Sequence, residues 1–108
     1  IFEWGPVSNA FLKRFDFYGD GYWPFTEGLV MKEGKAFGMT GFGGASGAGV
    51  IFEWDPQSNI YTKKIDFDRV NGAYPRGSLT MYGTKFYGMT PSGGSYSADW
   101  ELFLNGIR

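Results

Sequence analysis

The sequence contains no histidine and no cysteine. Ser-His-Asp and Cys-His nucleophile sets are therefore impossible within this chain, as are His-ligated zinc, thiolate metal sites and disulfides. Missing cysteine does not fix a compartment, because exported proteins also do without it. An excess of one charge is lacking too. Ten Lys and Arg against 11 Asp and Glu leave a net charge of -1. The longest basic runs are the pairs Lys13-Arg14 and Lys63-Lys64. No field of that kind recruits nucleic acid or an anionic membrane. No apolar run approaches the roughly 20 residues of a membrane helix. Nucleic-acid binding and membrane insertion are not expected, and no cofactor or metal is implied. The chain starts at Ile1 rather than Met, as expected of a processed form or of part of a longer protein.

What is present points to one small all-β domain. A hydrophobic share of 43% in 108 residues suffices for a packed core, and 19% charged residues argue against disorder. Glycine (18 residues) and aromatics (20%) are abundant. Short aromatic runs broken by Gly and Pro are the pattern of hairpins.

The chain also repeats itself at an offset of 50. "IFEWGPVSNAFLKRFDF" (Ile1–Phe17) matches "IFEWDPQSNIYTKKIDF" (Ile51–Phe67), and "GLVMKEGKAFGMTGFGG" (Gly28–Gly44) matches "SLTMYGTKFYGMTPSGG" (Ser78–Gly94). Between the blocks, "YGDGYWPFTE" faces "DRVNGAYPRG". Repeat one spans 1–50, repeat two 51–100, and a partial third strand set 100–108.

Each period accommodates four strands: Leu79–Tyr82, "KFYGMT" from Lys85, Val50–Trp54 and Ile60–Phe67. In "DPQSN", Asp55 opens a type I turn, Pro56 sets the next φ, and Asn59 tolerates the left-handed region. Gly5 stands in the Asp position of the first copy, which loses that side-chain bond. Strict alternation puts Tyr61, Ile65 and Phe67 on one face of the fourth strand, like Phe11, Phe15 and Phe17, with Lys64 and Asp66 or Arg14 and Asp16 opposite. The lysines suit an exposed edge. The third strand is apolar on both faces, as in a sheet packed between neighbours. Gly38 and Gly88 inside strands imply a ring or backbone close by. The "GG" pairs give the second strand a tight exit at positive φ.

Four antiparallel strands per repeat of this length describe a β-propeller blade. A β-sandwich is the alternative; near-identical halves favour the propeller. The chain holds about two blades' worth of strands, whereas propellers have about four to eight blades. A segment of a longer propeller, or copies closing into a ring by head-to-tail contacts, is expected.

Several stretches invite chemical readings. Glu3/Glu53 and Asp16/Asp66 recur, but as decoration of exposed faces or turn caps rather than glycosidase carboxylates. "DFDRVNG" gathers Asp66, Asp68 and Asn71, which reads as turn-forming Asx residues more than a calcium loop. "GFGGASGAG" fails the G-x-G-x-x-G pattern at Ser46 and precedes a strand. The candidate binding residues are in the loops that differ between copies: Tyr22 and Trp23 in "GDGYWPF", Tyr74 and Arg76 in "NGAYPRG". Loops on a rigid scaffold carry function, and exposed aromatics beside polar groups stack on sugars or anchor proteins. The competing reading is that such rings fill the core between sheets.

The blocks "GVIFEWDPQSNIYTKKIDF", "NGAYPRGSLT" and "FYGMTPSGG", in that order, resemble the GloVer tandem repeat, named for Gloeobacter and Verrucomicrobia. That resemblance implies a kelch-like β-propeller of bacterial exported proteins, an extracellular or cell-surface setting, and no catalytic residue to carry over. The first copy departs from the pattern at "YGDGYWPFTEG". The tail "WELFLNGIR" begins like a third "VIFEW" strand without the Asp-Pro turn. The expectation is a non-enzymatic surface module for structural assembly or protein–protein binding, its partner a protein or copies of itself. A lectin-like module gripping glycan through loop aromatics is the alternative.

Overall fold

The structure, a computed structural model, describes residues 1–24 and 28–94. The tail from Trp100 lies outside the described residues. Among them there are strands and no helix: β1 (Phe2–Gly5), β2 (Ala10–Lys13), β3 (Val30–Lys32), β4 (Lys35–Thr40), β5 (Val50–Asp55), β6 (Ile60–Asp66), β7 (Thr80–Tyr82) and β8 (Lys85–Tyr87). All pair antiparallel, in three sheets ordered β1-β2, β3-β4-β5-β6 and β7-β8. The protein is all-β, as its composition indicates. Among the described residues the expected four-strand unit occurs once complete. The first hairpin supplies its third and fourth strands, and the last hairpin its first and second.

Turn chemistry sets these hairpins. Asp55 Oδ1 accepts the N–H groups of Gln57 (2.9 Å) and Ser58 (3.5 Å). The Gln57 bond chiefly holds its carboxyl below the usual carboxylate range. Asn59 closes the turn at φ 60°, and its N–H donates to the Asp55 carbonyl at 2.7 Å. Asn9 keeps that conformation, at φ 59°, although Gly5 provides no carboxylate. Both copies add a bond that the sequence reading missed. The Trp4 indole N–H donates to Asn9 Oδ1 (2.9 Å), and Trp54 donates to Asn59 Oδ1 (2.8 Å). In the β3–β4 turn Glu33 and Gly34 both have positive φ, the type I′ signature, whereas Gly83 alone does so between β7 and β8.

One expectation about faces is corrected. The ladder between β5 and β6 pairs Val50 with Asp66 and Ile51 with Ile65, then Phe52 with Lys63, Glu53 with Thr62 and Trp54 with Tyr61. Lys64 is the extra residue of a bulge. Because side chains alternate with a period of two, one inserted residue moves everything beyond it to the opposite face. Tyr61 and Lys63 therefore share a face with Asp66, while Ile65 faces the other way. The first copy separates likewise: Phe11 stacks on Phe2 at 5.3 Å, whereas Phe15 stacks on Tyr61 at 4.4 Å and Phe17 meets Phe52 edge-on at 5.3 Å.

The central sheet is covered on both faces. Ala36, Val50, Phe52 and Trp54 form one buried cluster, packed by Ile1, Phe17 and Tyr61. Burying a side chain such as Phe52 stabilises by about 1.5–3 kcal/mol. Met39 and Phe67 on the other face join Ala48, Ala73 and Leu79, with Phe37 and Phe86 against them. The strand glycine Gly38 lies under the Phe52 ring, whose Cζ would sit 2.7 Å from an added Cβ. The segment after β8 is shorter in strand than expected: Gly88 to Thr90 lack a ladder among the described residues, while the equivalent end of β4 pairs with β5.

Candidate functional site

The repeated "GMT…GG" builds one end of each sheet. Thr40 Oγ1 donates to the Phe42 carbonyl (2.9 Å), and Thr90 Oγ1 to the Ser92 carbonyl (3.0 Å). These turns fold back on the preceding loop. Gly44 N–H donates to the Gly19 carbonyl (2.9 Å), Tyr22 and Phe42 exchange N–H···O bonds at 2.9 and 3.2 Å, and in the second copy Gly94 N–H reaches the Arg69 carbonyl (2.8 Å) and Ala73 N–H the Ser92 carbonyl (2.9 Å). The closeness demands glycine. Gly43, at φ 89°, would place a Cβ 2.8 Å from the Gly21 backbone, and Gly93, at φ 88°, one 2.8 Å from Gly72.

Trp23 and Tyr74 occupy the same place in the two copies, each just before a proline. Both take left-handed backbone, at φ 54° and 56°. For residues with a Cβ that conformation costs roughly 1–2 kcal/mol. The loop bonds clamp this corner in both copies; Trp23 faces solvent there, whereas Tyr74 packs against the core cluster of Met39, Ala48, Phe67, Ala73 and Leu79, as the packing reading of these rings expects. Trp23 is 59% exposed and Tyr22 40%; Tyr74 is half-buried.

The two loops converge through Phe42. Its ring meets Trp23 edge-on at 5.1 Å, stacks with Tyr22 at 6.1 Å and tilts against Tyr74 at 5.3 Å. Tyr22 and Trp23 themselves meet edge-to-face at 6.2 Å. Arg69 flanks the patch: Nη2 donates to the Tyr74 hydroxyl (2.8 Å), Nη1 to the Ser46 carbonyl (2.9 Å). A further bond ties the repeats, from Tyr74 N–H to the Ala48 carbonyl at 2.8 Å. Three of the four expected residues thus form one patch; Arg76 is exposed two positions beyond Tyr74. Sequence reasoning missed Phe42 and Arg69. Phe42 had a signal, because "GFGG" and "PSGG" differ there and the patch is built where copies differ.

The polar residues around the site have structural tasks. Asp66 Oδ1 accepts the Ala45 N–H at 2.8 Å, and Lys63 lies 3.2 Å from Asp66 and 3.4 Å from Asp20. The Ala45 bond, then Lys63, keeps the Asp66 carboxyl below the ordinary range; Asp66 and Asp20 in turn raise the Lys63 ammonium. The Tyr61 hydroxyl donates to the Asp20 carbonyl (2.9 Å), and burial, then the Asp20 charge, pushes its ionisation upward. Asp68 Oδ1 accepts the N–H groups of Val70 (3.0 Å) and Asn71 (2.9 Å), the Asx turn expected of "DFDRVNG". The Gly-rich loop directs its Gly44 and Ala45 N–H groups at protein oxygens rather than at open solvent. No three acidic side chains converge as a metal site among the described residues.

Duplicated hairpins and loop ends around one four-strand sheet define a tandem-repeat all-β protein. The chain belongs to the Gloeobacter/Verrucomicrobia repeat family, whose sequence model matches residues 1–101. No curated protein and no solved structure matches it significantly.

Proposed function

We propose that the chain is a non-enzymatic β-propeller module of an exported, cell-surface protein, and that it binds a protein partner through its loop end. The observation that carries this reading is the patch of Tyr22, Trp23, Phe42 and Tyr74, gathered from two repeats and rimmed by Arg69. Aromatic anchors beside an arginine are the composition of binding hot spots. The propeller geometry draws support from the four-strand antiparallel unit and from its packing between two further hairpins. A non-enzymatic role draws support from the absence of His and Cys and from the structural engagement of the repeated carboxylates.

The test uses the chain and a Trp23→Ala/Tyr74→Ala variant, each immobilised and exposed to cell-envelope proteins of a bacterium that encodes the repeat. Retention of one defined protein by the parent, lost tenfold or more in the variant, supports the reading. Equal retention by both sinks it. The exposed Trp23 ring also favours a second reading, stacking on a sugar. A glycan-array signal that vanishes in the same variant would replace the protein partner by glycan.

A further inference from the structure

One residue of the loop end goes against the repeat. Gly44 and Gly94 donate their N–H groups to the carbonyls of Gly19 and Arg69, so Arg69 stands where the first copy has glycine. The backbone is left-handed in both, at φ 52° for Gly19 and 79° for Arg69. A Cβ added at Gly19 would meet no atom within 4 Å, so the corner opens on solvent. Glycine takes this conformation freely, whereas a residue with a Cβ is strained there. Strain kept at an exposed corner is a pointer to function.

The side chain that this strained corner carries is held in one orientation. Nη1 donates to the Ser46 carbonyl at 2.9 Å and Nη2 to the Tyr74 hydroxyl at 2.8 Å, with the guanidinium 5.6 Å from the centre of the Tyr74 ring. Both oxygens are neutral. None of the ion pairs among the described residues includes Arg69. The neighbouring carboxylates are bound elsewhere: Asp68 to the N–H groups of Val70 and Asn71, Asp66 to Ala45 and Lys63, and Asp20 to Lys63. An exposed guanidinium thus keeps its charge uncompensated and the remaining N–H groups of its fork free to donate. A fork already held in place loses little freedom when it takes a planar anion.

We infer that Arg69 is the specificity residue of the loop end, and that it selects partner segments in which an Asp or Glu lies close to an apolar anchor. Contacts of 5.1, 5.3 and 5.6 Å lead from Trp23 through Phe42 and Tyr74 to the guanidinium. An extended segment crossing that path places its anchor and its carboxylate within about five residues of each other. The anchor rests on Trp23 and Tyr22, which are 59% and 40% exposed, and the carboxylate takes the charge-assisted bonds of Arg69. The inference deepens the proposed function and rests on its protein-binding reading.

The test is an array of short synthetic peptides. Each carries a Leu or aromatic anchor and a Glu within about five residues of it; a matched peptide carries Gln instead. The chain should retain some Glu peptides at least tenfold more than their Gln partners. That preference should shrink from about 0.1 to 1 M NaCl, as the screening length falls from about 10 to 3 Å. Arg69→Gly restores the residue of the first copy and relieves the backbone, so it should unfold in urea no earlier than the parent. It should bind both members of a pair alike. Arg69→Lys should recover part of the preference, and Trp23→Ala should lose both members. Equal retention of Glu and Gln peptides by the parent, lost in Trp23→Ala, overturns the inference and leaves the loop-end reading standing. So does a preference for Glu that Arg69→Gly retains. Retention undiminished in Trp23→Ala, or no peptide retained by the parent, overturns both. A glucuronate-containing disaccharide retained over its neutral glucose counterpart, with no peptide retained, replaces the acidic peptide by an acidic glycan.

Discussion

The β1–β2 and β5–β6 hairpins are close to the same sentence written twice, and they lead different lives. Trp54 is buried, donates to Asn59 and lies beneath Arg14. Trp4 makes the same bond to Asn9 half in solvent. The intra-hairpin features survive in both copies, because turn and latch are local. Burial survives in one only, because it belongs to the neighbouring sheet. A motif in this protein is therefore a half-made interface whose energetics depend on its place in the row.

The largest test of that contrast is Phe52→Ala against Phe2→Ala. The first should cost about 3–5 kcal/mol in urea unfolding and the second, in the dilute single chain, less than about 0.5 kcal/mol. Equal losses would mean that the first hairpin is buried in solution as well. Next comes the latch. Asn59→Ala strands a buried indole N–H and should cost about 1–3 kcal/mol, whereas at Asn9→Ala water takes the place of the lost oxygen and the loss stays under about 1 kcal/mol.

Acid separates the copies more gently. The Asp66 carboxyl is held low by the Ala45 N–H and Lys63, so its folded pKa lies below the unfolded value of about 3.9. Its contribution is complete above that value and is lost as pH falls through the folded pKa. The difference in melting temperature between the parent and Asp66→Asn should be constant near neutrality and shrink below about pH 4. Asp16, exposed and paired with Lys13 at 3.0 Å and with the charge of the Ile1 ammonium, accepts no backbone N–H of the kind Asp66 does among the described residues and should show a smaller difference when replaced by Asn. The smallest effect runs the other way. Gly5→Asp gives the first turn the acceptor that Asp55 supplies to the second and should raise stability by about 0.5–1 kcal/mol in the same unfolding assay.

Much of this was legible in the sequence because it is short-range. The offset of 50, the "DPQSN" turn, the glycine exits and the order of four strands all follow from residues within one turn or one strand of each other. Lys64 shows where that reading stops. Nothing in "IYTKKIDF" announces a bulge, since the register is decided by β5 across the ladder, and so simple alternation puts Tyr61 and Ile65 on one face where the ladder puts them on opposite faces. The site was half legible for a similar reason. Tyr22, Trp23 and Tyr74 stood out by varying between copies, but their meeting depends on Phe42, which arrives from a loop about twenty residues further along the first copy.

The left-handed corner at Trp23 and Tyr74 has a practical consequence for anyone wishing to redesign this molecule. Its backbone is held by main-chain hydrogen bonds on either side and is followed by proline, but only the Trp23 ring is mostly in solvent, since the Tyr74 ring packs against the core and its hydroxyl accepts from Arg69. One copy already tolerates tryptophan there and the other tyrosine. Trp23 is the natural place to randomise, since a library there would change the displayed chemistry, with asparagine and glycine relieving strain and β-branched residues adding to it, whereas variation at Tyr74 would also disturb the core it packs on.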